Sequence, residues 1–109
     1  MVNESIALIV RNYLSNLHRQ DIPITYAVIF GSYARGEADQ WSDVDVLIVS
    51  PRFNQKLKCE DINLRYRIAA RTDSRIEPIP VGQRQFLTDD SSAIIMIARR
   101  EGQIIPLPD

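Results

Sequence analysis

Cysteine is almost missing from this chain of 109 residues: there is one, Cys59. A lone cysteine closes no internal disulfide, so nothing points to an oxidising compartment, and with no base beside it Cys59 reads as an inert small side chain. Net charge is nearly absent too. Thirteen Lys and Arg stand against 14 Asp and Glu, a balance of −1 that gives no general pull toward nucleic acid or acidic lipid. Apolar runs all fall far short of the ~20 residues needed to cross a bilayer, and the N-terminus lacks a basic-then-apolar signal pattern. The expected location is cytoplasmic, with no membrane partner and no direct nucleic-acid binding. Glycine is scarce as well, with four in all, yet Gly31 and Gly36 lie within six residues. What is present, 45% hydrophobic and 25% charged residues, is ordinary for a soluble globular chain. A single domain over residues 1–109 is expected, without repeats or linkers.

The periodicity predicts an amphipathic helix over Asn3–Gln20, with Ile6, Val10, Tyr13, Leu14 and Leu17 on one face. Ile24–Phe30 is apolar and β-branched and reads as a strand covered on both faces. It runs into Gly31-Ser32 and a short helix or turn ending at Gly36. Asp39–Ser42 is loop-like, and Val44–Val49 is a second strand. Lys56–Arg71, with Leu57, Leu64 and Ile68 among many charges, reads as an exposed helix. Ile76–Val81 alternates like a third strand, whose Pro78 and Pro80 favour an edge. Asp89–Glu101 reads as a last helix, acidic at its start and followed by Gly102, and Gln103–Leu107 as a short final strand. The expected fold class is α/β (α+β), a small mixed β-sheet with helices packed on it.

Asp43 and Asp45 are two apart, so in a strand they share a side with Cα atoms roughly 6.5–7 Å apart. Two acids on an otherwise buried strand are costly unless compensated. A divalent ion is the simplest compensation, and Mg²⁺ suits one or two carboxylates plus substrate phosphates. Two plainer readings stay open at this point: Ser42 capping a helix with Asp45 in reciprocal contact, or a solvent-exposed pair at a strand start. Gly31-Ser32, between a buried strand and a short helix, aims backbone N–H groups and a hydroxyl at the strand's end, which suits phosphate; a small-residue turn of purely steric origin is the alternative. Ten residues separate Ser32 from Asp43, so a phosphate grip stands beside a metal-binding pair, the arrangement nucleotidyl transfer requires. A second metal ion needs a third carboxylate from another strand. Glu77 is the candidate, as metal ligand and as acceptor of the attacking hydroxyl's proton. Its plain alternative is a surface acid paired with Arg75 or another arginine.

Gly31-Ser32-Tyr33-Ala34-Arg35-Gly36-Glu37-Ala38 followed by Ser42-Asp43-Val44-Asp45-Val46-Leu47-Ile48 resembles the signature of the minimal nucleotidyltransferases of the DNA polymerase β-like superfamily. The detailed match covers about twenty residues, and the order of elements extends it over most of the chain. The resemblance implies a polymerase β-like nucleotidyltransferase core, ATP with Mg²⁺ (two ions), and transfer of a nucleoside monophosphate to a hydroxyl with release of pyrophosphate. The family's third acid is commonly Asp, where this chain has Glu77. Small stand-alone members are often antitoxins of type VII-like HEPN/MNT systems. They silence a HEPN-domain ribonuclease toxin by adding AMP to a tyrosine, by direct binding, or by both. The resemblance therefore implies a HEPN toxin as partner. A catalytically weak binding antitoxin and an antibiotic-type small-molecule nucleotidyltransferase are the alternatives, and the shortness of the chain argues against the latter.

Around this core, Arg35 is placed either to reach a triphosphate with its fork of donors or to pair with Glu37 or Asp39. Ser42 either touches nucleotide or bonds locally. Trp41 is expected to pack on the domain in preference to stacking on a base. His18 suits the helix dipole. Arg52 to Arg84 carries eight basic residues against four acids, expected as a solvated face.

Overall fold

Helices and strands alternate along the chain until two helices follow one another before the last strand. The computed structural model describes residues 3–39, 41–54 and 59–107. The first helix, α1 (Glu4–Arg19), starts where Asn3 Oδ1 accepts from Ser5 N at 2.7 Å, with Glu4 in its first turn and His18 and Arg19 in its last. Then come β1 (Tyr26–Phe30), the single-turn α2 (Ser32–Arg35), β2 (Val44–Ser50) and a 3-10 turn (Pro51–Asn54). The chain continues through α3 (Cys59–Thr72), β3 (Ile76–Gly82), α4 (Gln83–Thr88), α5 (Ala93–Glu101) and β4 (Gln103–Pro106).

The four strands form one mixed sheet in the order β3-β2-β1-β4. Central β1 is antiparallel to β2 and β4, while β2 and β3 run parallel, joined by α3. β3 lies at an edge, as its prolines predict, because only there do they avoid removing ladder bonds on both sides. Both faces of the central strands are covered. On one face Ala27, Ile29, Val44, Val46, Ile48 and Ile76 pack with α1 and α3. On the other, Val28, Phe30, Leu47, Val49 and Val81 pack with Phe86 of α4 and with Ile95 and Ala98 of α5. Each fully buried aliphatic side chain of this kind is worth about 1.5–3 kcal/mol.

Several expectations need correction. The helix read as exposed is half core: Ile68 and Ala69 are buried, and even Arg65 is 3% exposed. Its guanidinium lies 5.0 Å from the Tyr66 ring, and its carbonyl accepts from the Tyr13 hydroxyl at 3.1 Å. The basic stretch is therefore not wholly a solvated face. The start of that helix at Lys56, and the side chain of Cys59, lie outside what is described. α4 was not anticipated, since six residues are too few to show a period. The last helix starts at Ala93, not Asp89, because the Asp89 carboxylate accepts from Ser91 N and Ser92 N in a turn that helical backbone cannot make. Ser92 then caps α5 through Ile95 N. The first strand starts at Tyr26, two residues later than expected.

Candidate functional site

The site lies where β1 ends and β2 and β3 begin. After Phe30 the backbone turns at Gly31 with φ 77° and ψ −150°, a combination essentially restricted to glycine. α2 follows at once, and Gly36, at φ 73°, ends it by donating to the Ser32 carbonyl. Gly31 is needed for a second reason. A Cβ there would collide with Asp45 Oδ2 and stand 3.3 Å from Asp45 Cγ. The space its missing side chain leaves is taken by the Asp45 carboxylate.

Asp45 pairs with Phe30 across the antiparallel ladder and with Glu77 across the parallel one. Residues in register share a side, so Asp45 and Glu77 lie on the same face of adjacent strands. Asp43 is one residue ahead of β2. It and Glu77 are exposed, and Asp45 is partly buried. Extended chain at Val44–Ser50 removes the helix-cap reading of Ser42 and Asp45. The Asp45 carboxyl is pushed above its ordinary 3.8 by burial first, then by the charges of Asp43 and Glu77, with Arg35 acting in the opposite direction. Asp45 therefore feels both of the other acids. Among the described residues, however, no group of three His, Cys, Asp or Glu side chains is closed around a single point as a metal cage would be. A divalent cation fits this donor set: hard carboxylate oxygens, one of them desolvated and crowded by like charge. The nearby cation, Arg35, is engaged elsewhere. It bonds Glu37 and, across the fold, Glu101 at the end of α5, each at 3.1 Å. Of its two readings, the ion pair is the one present; Glu101 is an added partner that no spacing announces.

Ser42 bonds locally. Its Oγ accepts from Asp39 N at 3.0 Å and donates to Asp39 Oδ1 at 3.3 Å, while its N–H reaches the Asp39 carbonyl at 3.1 Å. Asp39 Oδ1 also accepts from Trp41 N at 2.8 Å. These bonds hold the backbone of the turn and leave the Trp41 ring outside, 82% exposed, which corrects the expectation that it packs on the domain. Glu77 is not paired with Arg75, whose fork is taken by Asp73 at 2.9 Å. Asp73 and Tyr33 were given no role from sequence, and Arg75 only that of a partner for Glu77; the one available signal was the opposite charges of Asp73 and Arg75, two apart just before a strand. The site is an open rim. Cavities of about 270 Å³ at Asn16, Arg19 and Arg71, and of about 350 Å³ at Asp90, Met96 and Arg99, lie away from it.

Residues 10–104 match the family described as nucleotidyltransferase domain. The chain belongs to that family. A Methanocaldococcus jannaschii protein, provisionally named a protein adenylyltransferase, is 46% identical over 55 residues, covering 48% of this chain and 54% of its own length. The chain thus spans about half the length of the curated relative it matches. Among solved structures, a provisionally assigned nucleotidyltransferase from Sulfolobus solfataricus superposes with a TM-score of 0.60 at 16% identity, over 90% of this chain and 77% of that one. A toxin–antitoxin complex crystallised with AMP-PNP gives 0.58 at 18% identity, over 91% and 74%. The toxin–antitoxin pair MntA–HpeT, in a variant with two Asp-to-Glu substitutions, gives 0.57 at 16% identity, over 91% and 74%. All three share the fold of this nucleotidyltransferase domain, a mixed sheet with helices on both faces.

Proposed function

We propose that this nucleotidyltransferase domain transfers AMP from ATP to a protein hydroxyl, and that its acceptor is a tyrosine of a HEPN-domain ribonuclease toxin for which it is the antitoxin. The observation that carries the reading is the placement of Asp45 and Glu77 in register on adjoining strands, with Asp43 just ahead of β2, beside the Gly31-Ser32 turn. Support for a protein acceptor and a toxin partner comes from the name of the archaeal relative and from the two toxin–antitoxin complexes that share the fold. The open rim agrees with an acceptor brought by a second polypeptide.

In this reading the Gly31 and Ser32 backbone N–H groups and the Ser32 hydroxyl hold phosphate oxygens. Asp43, Asp45 and Glu77 are the residues that would hold Mg²⁺, whose chemistry is to neutralise phosphate charge and to acidify an attacking hydroxyl. The acceptor oxygen attacks the α-phosphorus in line, and the bond to the bridging oxygen breaks so that pyrophosphate leaves. Glu77, exposed at the rim, takes the hydroxyl proton. Arg35 reaches the triphosphate only by giving up its exposed pairs with Glu37 and Glu101, and solvent-exposed pairs of that kind are weakly held.

The test is incubation of the purified pair with ATP labelled in the α-phosphate. Label should appear on the toxin and vanish with Asp43→Ala plus Asp45→Ala. Undiminished labelling by the double variant would overturn the site assignment. Toxin silencing that survives in the double variant without label would assign neutralisation to binding.

A further inference from the structure

Three stretches of backbone carry the acids and the phosphate turn, and one residue outside them ties all three together, through its main chain and its side chain. Arg75 immediately precedes β3, two residues before Glu77. Its carbonyl accepts from Val44 N at 2.7 Å, and Val44 sits between Asp43 and Asp45. Its guanidinium is locked by the Asp73 carboxylate, with Nε to Oδ1 at 3.1 Å and Nη2 to Oδ2 at 2.9 Å; Asp73 Oδ1 also accepts from Arg75 N at 2.9 Å. The remaining prong, Nη1, donates to the Tyr33 hydroxyl at 3.4 Å. That hydroxyl donates to the Asp39 carbonyl at 3.3 Å, which also takes the Ser42 N–H at 3.1 Å. Tyr33 follows Ser32 directly, and Ser42 precedes Asp43. An unbroken chain of bonds thus runs from the entry of β3, through α2, to the turn that delivers the first aspartate.

We propose that Arg75 is a positioning residue for nucleotidyl transfer: its Asp73-locked fork, acting through the Tyr33 hydroxyl and the Asp39–Ser42 turn, sets the spacing of the Gly31-Ser32 grip, the Asp43/Asp45 pair and Glu77. This rests on the nucleotidyltransferase reading of the same site. The two bonds of the Tyr33 hydroxyl are long, 3.3 and 3.4 Å, so their loss has a small effect on global stability. Their effect on spacing is larger, because a displacement of ~1 Å in a constellation of this kind costs on the order of 100-fold in rate. Lysine does not replace the arginine, since it has no planar fork to grip Asp73 with two prongs and Tyr33 with a third.

The chain contains its own reporter. Trp41 is the sole tryptophan, exposed on the turn this network holds. Tyr33→Phe, which removes one oxygen and keeps the ring, and Arg75→Lys should each leave Tm close to that of the unsubstituted protein. Each should lower Trp41 fluorescence anisotropy and raise the Mn²⁺ concentration for half-saturation roughly tenfold, measured by electron paramagnetic resonance with a non-hydrolysable ATP analogue. A network that serves only folding would instead lower Tm and leave Mn²⁺ binding and anisotropy unmoved in the folded protein; that result overturns the proposal. So does a change in anisotropy with unaltered Mn²⁺ affinity, which would reduce the network to a loop tether. If the unsubstituted protein itself binds no Mn²⁺, the nucleotidyltransferase reading fails, and the proposal with it.

Discussion

At Gly31 two demands fall on one residue. Its φ of 77° is strained for any side chain, and the space where a Cβ would project belongs to the Asp45 carboxylate. Gly31→Ala should therefore destabilise the fold by about 1–3 kcal/mol through backbone strain and displace Asp45, abolishing the proposed AMP transfer. Combining Gly31→Ala with Asp45→Ala separates the effects. The collision disappears and the backbone strain remains, so Gly31→Ala should cost less stability in the Asp45→Ala background than in the unsubstituted protein, as chemical denaturation will measure. The glycine and both aspartates were legible in the sequence, because a Gly-Ser turn and an Asp-x-Asp on apolar strands are rare enough together to carry meaning. The reason for the glycine was not legible, since it depends on a contact 14 residues away. Trp41 misled for a related reason: the side chain that decides its exposure is Asp39, whose bond to Trp41 N turns the ring outward.

Elements were most legible where a period repeats. α1 shows four turns of one apolar face, and β1 and β2 are mainly apolar runs rich in valine and isoleucine. Boundaries were harder, because a cap is decided by one side chain. Between α4 and α5, Asp89 accepts from Gln85 Nε2, Ser91 N, Ser91 Oγ and Ser92 N. These bonds, those of Ser91 foremost, lower its carboxyl to about 2. They stop α4 and hand the chain to Ser92, whose Oγ accepts from Ile95 N at 3.3 Å. Ser92→Ala should cost about 1 kcal/mol, measured as a lower midpoint of urea unfolding with unchanged slope. Because α5 carries Glu101, the partner of Arg35, looser packing of this helix should also be felt at the rim of the site.

Over the whole molecule, a net charge of −1 conceals an uneven distribution in which the acids of the site are held together against their mutual repulsion. Asp45 makes the cost measurable. Its folded carboxyl titrates above the ordinary 3.8, so the folded state holds this proton more tightly than the unfolded chain does. Asp45 is harmless to stability below its unfolded value, and its penalty is complete above its folded value. Asp45→Asn should accordingly raise Tm at neutral pH without divalent ions, by a few degrees at most, and the advantage should shrink as pH falls toward 3.8. Mg²⁺ with an ATP analogue should stabilise the unsubstituted protein and not the variant. Differential scanning calorimetry across pH, with and without Mg²⁺, checks both signs. An equal response of the two proteins to Mg²⁺ would remove Asp45 from the metal site.

The register of β2 against its neighbours has a consequence for heredity. Asp45 meets Glu77 and Phe30 through main-chain ladders, and a ladder is indifferent to most of the side chains it carries. Surrounding residues can be exchanged one by one over long descent while the acids stay opposite each other, and a neighbour at 16% identity still superposes with a TM-score of 0.60. Length is another matter. One residue inserted within β2 ahead of Asp45 would turn its carboxylate to the opposite face of the sheet. Lineages of such a chain are thus free to drift in composition and confined in spacing, and the interval that matters most is the shortest one, the single residue between Asp43 and Asp45.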